Sequence, residues 1–290
     1  IVPKSYMSIL DDKTVILIMD KFGKGREAEV KMKFQEKAST ELKEEMDSIR
    51  LSFLSKRADY EKLWLELNRL FDYVIDPRFP KEAVYTIKHR IKNMERLIEK
   101  IETHNQKNPL DQINNSNYSS KIDDLLGIRL ICYRRSDKDI VNDFIKALEK
   151  ENKIVFLRDS EEKTPQYKWI ELDEGNSDEE NFKEDIQYSG YSSTHYFVKL
   201  PDSSPSNIKD LHSEIQVRTI FEDAWAELDH KYRYEYKRKG IEIPKSIDRG
   251  FRSLSAYVQA ALVHAEFLCK DIEEEIKTCK SEDSALLSSE

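Results

Sequence analysis

HSEIQVRTIFEDAWAELDH, residues 212–230, contains two hydrophobic periods in succession. Leu211, Ser213, Ile215 and Val217 alternate with His212, Glu214, Gln216 and Arg218, which is the period of a strand. At Thr219 the period changes, and Ile220, Phe221, Ala224, Trp225 and Leu228 follow at helical spacing. A strand is therefore expected to feed directly into a helix with one apolar stripe. The strand's polar row has two readings. On an open sheet face it is solvated surface; where the helix covers one side, it lines a cleft that can meet a metal, a sugar hydroxyl or a phosphate.

The chain around this stretch has 290 residues, 36% of them charged and 39% hydrophobic, with seven glycines. That composition describes a helix-rich protein with heavily charged helix faces, large enough for one sizeable domain with helical additions. A formal net charge of -8 argues against a broad, sequence-independent nucleic-acid surface, whose affinity comes from positive charge. One local exception is KYRYEYKRK, residues 231–239, with tyrosines between its cations. Cys132, Cys269 and Cys279 are odd in number and lack zinc-like spacing with the six histidines, so a reducing, cytoplasmic setting is expected. The apolar run Val15 to Met19 is too short for a membrane span, no signal pattern precedes it, and no membrane partner is expected. The chain begins at Ile1, which leaves open a longer natural start.

From Arg26 to about Asp72 the sequence predicts one long helix or two, with Leu42, Met46, Ile49, Phe53, Tyr60, Leu63, Leu67 and Leu70 near a four-three alternation. Gly23 and Gly25 lie in a turn without a phosphate-loop pattern. DPRFP, residues 76–80, breaks the helix. Beyond it the spacing predicts a strand over 84–92, a basic helix from Met94, a polar loop over 104–120, and a buried strand over 125–133. A helix over 138–150 follows, with strands over 153–158, 164–172 and 193–200. An acidic insertion, ELDEGNSDEENFKED, precedes Tyr188. The tail from Ile247 to Thr278 is again helical. These breaks divide the chain into a helical region over 1–80, a mixed region over 81–240 and a helical region over 241–290.

Three clusters precede the Glu214 strand. Arg90, Lys92 and Lys100 place positive charge on a strand end and on the helix after it, which suits a polyphosphate or a merely solvated helix face. Asp124-Leu-Leu-Gly127-Ile-Arg129 sets an acid before a buried strand, where it can hold Mg²⁺ or cap a turn; Asp123 is the alternative ligand. Gly127 stands where backbone is expected to come close. Ser189-Gly190-Tyr191-Ser192-Ser193-Thr194-His195 exposes a tyrosine beside a glycine, able to stack under a base or to pack half-buried.

In this order, DLLGIR, GYSSTH and EIQVRTIFEDAWAELDHKY resemble the synthetase domain of the RelA/SpoT family, the (p)ppGpp synthetases, over roughly Val84 to Tyr236. The resemblance implies an α+β, nucleotidyltransferase-like mixed sheet flanked by helices, with long N-terminal and C-terminal helical additions. It also implies transfer of the β,γ-pyrophosphate of ATP to the 3′-hydroxyl of GDP or GTP. By family analogy Arg90 and Arg129 sandwich the adenine, and Lys92 and Lys100 hold the ATP phosphates. Asp124 would be a Mg²⁺ ligand, and Glu214 a second acid that binds metal or activates the acceptor hydroxyl. Tyr191 would stack on the acceptor base, with His195 and Gln216 placing the acceptor nucleotide. Such transfer is mostly positioning and charge neutralisation, and these residue types suit it.

The sequence departs from the family pattern at the acceptor loop, where Ser192 follows Tyr191 in place of a usual arginine and DIQYS, residues 185–189, has no lysine. Arg96 stands where a serine is common. No His-Asp pair of the family's hydrolase type is present, which implies synthesis without hydrolysis. Two alternatives stay open. A toxic family member would pyrophosphorylate the 3′ end of tRNA, or an adenosine nucleotide, under a separate antitoxin or activator; a non-catalytic sensor or scaffold would keep the fold alone. The helical flanks suit homo-oligomerisation or simple shielding of the sheet.

Overall fold

The computed structural model describes residues 27–163 and 192–287. The expected strand over 164–172, the acidic insertion, Tyr191, the Val15 to Met19 run and the glycine turn lie outside the described residues.

The first helix, α1 (Glu27–Leu70), is one continuous element. Its stripe Met46, Ile49, Phe53, Tyr60, Leu63 and Leu67 is buried. At about 1.5–3 kcal/mol per fully buried large side chain, that stripe alone explains why so highly charged a helix stays folded. Leu63→Ala is expected to cost about 2–5 kcal/mol, read as a lower denaturant midpoint. After the DPRFP break come β1 (Val84–Ile91) and α2 (Met94–Lys107). Asn93 caps α2 by accepting from the Arg96 amide at 3.2 Å.

The segment expected as a polar loop over 104–120 is partly helical. His104 to Lys107 complete α2, and α3 (Tyr118–Lys121) adds a turn whose Tyr118 is fully buried and shares a 3.1 Å hydrogen bond with Ser52. Asn105 accounts for the rest, since its side chain donates to the Ile113 carbonyl at 2.8 Å and accepts from the Ile113 amide at 2.7 Å. A buried asparagine thus closes the loop on itself, a role the polar composition does not disclose.

β2 (Leu126–Cys132), α4 (Arg135–Lys150), β3 (Val155–Phe156), β4 (Glu161–Lys163), β5 (Ser193–Lys199) and β6 (Ser213–Thr219) follow. Among the described residues six strands form a mixed sheet in the order β1-β2-β6-β5-β3, with β4 paired antiparallel to β5. The strand expected over 153–158 shrinks to two residues. Thr219 ends β6 and starts α5 (Ile220–Asp229): its hydroxyl accepts from the Glu222 amide at 3.2 Å while the Glu222 carboxylate accepts from the Thr219 amide at 2.7 Å. This reciprocal cap is the physical cause of the change of period at that residue.

A π-helical turn over His230–Tyr234 and α6 (Glu235–Arg238) continue the chain. Gly240, at φ 73°, stops it as Ile241 donates to the Tyr236 carbonyl at 3.0 Å. The last element is α7 (Lys245–Leu287). The chain separates into two compact units. The first takes the described residues of Ile1–Leu67, Arg90–Gly127 and Lys199–Glu214; the second takes those of Asn68–His89, Ile128–Val198 and Ile215–Glu290. The first has a core from α1, α2 and α3. In the second, Ile128, Leu130, Val141, Ile145, Leu148, Val198, Ile215 and Val217 are buried, with Phe79 edge-on to Phe144.

Candidate functional site

In the first unit, the residues flanking β1 and β2 gather a compact set of charges. The Lys92 amide donates to the Leu125 carbonyl at 2.8 Å, which brings the end of β1 beside the approach to β2. There Lys92 Nζ lies 2.5 Å from one oxygen of Asp124 and Lys100 Nζ, two turns into α2, lies 2.9 Å from the other. Two ammoniums therefore divide one carboxylate. Lys92 is 12% and Asp124 24% exposed at their side chains. Burial depresses the Lys92 pKa below its usual value, an effect that the attraction of Asp124 only partly offsets. Burial also pushes Asp124 upward, but Lys92 and Lys100 together outweigh it and hold the carboxyl below the usual range.

Arg90 is exposed and lies across Gly127: a Cβ there would meet Arg90 Cγ at 3.8 Å and its carbonyl at 3.9 Å. Those are ordinary contacts, so the close approach expected at this glycine does not require it. Asp123 has a different partner from its neighbour, for His212 Nδ1 stands 3.0 Å from its Oδ1. Ser213 Oγ donates to the Leu126 carbonyl at 3.1 Å. The start of β6 is thereby fixed alongside the start of β2, with Asp124 two residues before that junction and Glu214 one residue after it. Glu214 is half-buried, as the alternating burial of β6 requires.

The second unit holds Arg129, Gln216 and His195. Arg129 Nη1 donates to Asp223 Oδ1 at 3.2 Å and makes a closer contact with Glu227. Both acids are on α5, four residues apart and hence on one face. Arg129 holds the Glu227 carboxyl below its ordinary range, against the effect of burial. Lys88, on β1, reaches Asp223 from another direction at 2.9 Å. Gln216 is half-buried and accepts from Arg218 Nη2 at 2.6 Å. His195 is buried, its ring tilted 6.3 Å from that of Phe197. Glu222, the capping acid, also accepts two hydrogen bonds from Lys138 at 3.1 Å.

The sequence reading placed Lys92 and Lys100 in one cluster and Asp124 in another, and the structure brings the three into contact. It missed Lys88, Asp223 and Glu227: the i and i+4 spacing of the two acids places them on one helix face but names no partner, and their cations come from distant strands. The basic stretch over 231–239 also proves less available than its composition implies. Arg233 is held by Asp229 and by Asp248 at 3.2 Å, its guanidinium 6.0 Å from the Trp225 ring and 5.7 Å from Phe251, and Arg238 pairs with Glu235 at 3.0 Å. Cys132 is buried, and burial pushes its thiol up to about 12, which disfavours the nucleophilic thiolate.

Among the described residues no group of three histidine, cysteine or acidic side chains is placed to hold a metal ion, and no helix is long and apolar enough to cross a membrane. Asp124 and Glu214, the acids that the family resemblance leads one to expect at a metal, offer carboxylate oxygens only. That suits Mg²⁺, which keeps water and substrate phosphates in its shell and needs few protein ligands.

Comparison with known proteins gives a consistent picture. Residues 89–239, just over half of the chain, match the family model described as the region found in RelA / SpoT proteins. GTP pyrophosphokinase YwaC of Bacillus subtilis (strain 168) is 26% identical over 160 residues, which are 55% of this chain and 61% of that relative, so the chain spans about three fifths of that protein's length. The crystal structure of small alarmone synthetase 1 from Bacillus subtilis shares the fold, with a TM-score of 0.53 and 18% identity over 76% of this chain and 95% of that one. The same enzyme bound to its product pppGpp matches with a TM-score of 0.51 and 19% identity, over 75% of this chain and 94% of that one. The match over 89–239 takes in DLLGIR, GYSSTH and the whole strand-to-helix stretch, and the chain belongs to the RelA/SpoT family.

Proposed function

We propose that the protein is an ATP-dependent pyrophosphokinase that transfers the β,γ-pyrophosphate of ATP to the 3′-hydroxyl of GDP or GTP. The observation that carries this reading is the meeting of Lys92 and Lys100 on Asp124 at 2.5 and 2.9 Å. An acid neutralised by two lysines is prepared for exchange. When a nucleotide's phosphates arrive, the ammoniums take them as partners and the carboxylate is released to a cation. Mg²⁺, when bound, would take Asp124 and Glu214 as its protein ligands and neutralise charge on the transferred group.

In this reading Arg90 and Arg129 hold the adenine, while Lys92 and Lys100 hold the triphosphate. Tyr191, His195 and Gln216 hold the acceptor nucleotide. The acceptor 3′-oxygen attacks the β-phosphorus, the bond to the α-phosphate oxygen breaks, and AMP leaves with that oxygen. The 3′-hydroxyl proton passes to the Glu214 carboxylate or to water beside it. Residues 81–240 carry this chemistry, with 1–80 and 241–290 as helical additions through which copies of the chain associate. A cytoplasmic setting belongs to the same reading.

The test is incubation of the protein with ATP labelled on its γ-phosphate, Mg²⁺ and either GDP, GTP, ATP or deacylated tRNA, beside Glu214→Gln. Label on a guanine nucleotide, lost in the variant, is expected. Label on tRNA or on an adenosine nucleotide alone would move the protein to the toxic members, with their separate antitoxin or activator. Binding without transfer would leave a sensor. The pairing of Arg233 and Arg238 with acids weighs against a tRNA surface over 231–239.

A further inference from the structure

Three cations close on one buried carboxylate in the second unit. Asp223, in the first turn of α5 and 7% exposed at its side chain, accepts from Lys88 Nζ at 2.9 Å on Oδ2 and from Arg129 Nη1 at 3.2 Å on Oδ1. Arg218 Nη1, from the end of β6, stands 3.5 Å from the same Oδ1, its side chain 4% exposed. Arg218 in turn donates from Nη2 to Gln216 Oε1 at 2.6 Å and from Nε to Ser193 Oγ at 3.3 Å. A path of charge-assisted contacts thus runs from Arg129 through Asp223 and Arg218 to Gln216. Glu227, one turn beyond Asp223, touches Arg129 outside that path.

Burying Arg218 beside Asp223 carries a desolvation cost, offset only where further hydrogen bonds satisfy both partners. Here Lys88 and Arg129 supply hydrogen bonds to Asp223, and Ser193 and Gln216 take those of Arg218 Nε and Nη2, while Arg218 Nη1 faces Asp223 as an ion-pair contact. Two of those four side chains are residues to which the pyrophosphokinase reading gives a nucleotide. A guanidinium that stacks on a base must hold its plane, and a carboxamide that pairs with a nucleotide must hold its rotamer. A carboxylate fixed on a capped helix can set both.

We propose that Asp223 is a positioning residue for both nucleotides, setting Arg129 for the donor base and, through Arg218, Gln216 for the acceptor. This rests on the pyrophosphokinase reading for the roles of Arg129 and Gln216. The roles of the three neighbours then differ: Asp223 serves both nucleotides, Glu227 the donor alone, and Arg218 chiefly the acceptor.

The test is a set of steady-state profiles for the wild type, Asp223→Asn, Glu227→Gln, Arg218→Lys and Arg129→Ala. ATP and GDP binding is measured by calorimetry on the same proteins, together with their melting temperatures. Asp223→Asn is expected to raise KM for both nucleotides about tenfold, the size of one charge-assisted hydrogen bond, with kcat within about threefold. Glu227→Gln should raise KM for ATP only, by a few-fold because the pair is partly solvated, and Arg218→Lys should raise KM for the acceptor more than for ATP. An Asp223→Asn protein with both KM values unchanged, beside an Arg129→Ala protein that binds ATP weakly, overturns the inference and leaves the function standing. So does a fall in melting temperature with unaltered KM values, which marks fold support alone. If Asp223→Asn does not fold, the split between Glu227→Gln and Arg218→Lys decides, and equal effects on both nucleotides overturn the proposal. A wild type that neither binds nor transfers overturns the pyrophosphokinase reading itself, and this inference with it.

Discussion

Lys92 and Lys100 meet Asp124 as point charges on flexible stems, whereas Arg129 and Arg218 meet Asp223 as planar forks. In the first cluster Lys100 is half exposed and both ammoniums depend on a single acid. In the second, the acid is buried, sits on a helix capped by Thr219 and Glu222, and has Glu227 one turn away. The contrast separates two tasks. A lysine pair around one carboxylate can change partners when phosphates arrive, and arginines between helix-borne acids hold a plane in place.

The comparison breaks most completely at Asp124. Asp124→Asn leaves two ammoniums without their counter-ion and removes a proposed metal ligand; transfer is expected to fall by about 10²–10³-fold, measured as product formed at saturating ATP. Lys92→Ala should weaken ATP binding by about 10–100-fold, since one charge-assisted contact to a phosphate is lost. A similar loss for an inorganic tripolyphosphate probe would place the effect on the phosphates, while Arg129→Ala should weaken ATP and spare tripolyphosphate.

The pH dependence sharpens the same contrast. The Lys92 pKa lies below its usual 10.5, so its charge, and with it ATP affinity, is lost as pH rises through that depressed value. Lys92→Met should bind weakly but with a flat alkaline limb. Asp124 is also depressed, from 3.8. Its contribution to stability is therefore full above its unfolded value and disappears as pH falls through the lower folded value. The melting temperature of the wild type should exceed that of Asp124→Asn by a few degrees at about pH 6, and that gap should narrow as pH falls below 3.8. A gap that stays constant with pH would show that the carboxylate's charge is not what stabilises.

Much of this was legible in the sequence because it is local. The alternation over 211–218, the helical spacing after Thr219 and the stripe of α1 each depend on neighbours a few residues apart. Lys92, Lys100 and Asp124 were legible as candidates through the family resemblance, and their contact spans only 32 and 24 residues. The Asp223 cluster was not, because its contacts join residues 135 and 94 apart in the chain. Nothing in the local pattern of EDAWAELD says which strand will present a cation to it. Asn105 and Tyr118 failed for a related reason: polar side chains that satisfy buried backbone or reach a distant helix look, in sequence, like loop.

The most direct measurement is the co-product. Incubated with ATP, Mg²⁺ and GDP, the protein should release AMP in a one-to-one ratio with a guanosine bearing pyrophosphate on its 3′-oxygen, because the β- and γ-phosphates move together. Release of ADP in place of AMP, or AMP without a matching guanine product, would contradict the account.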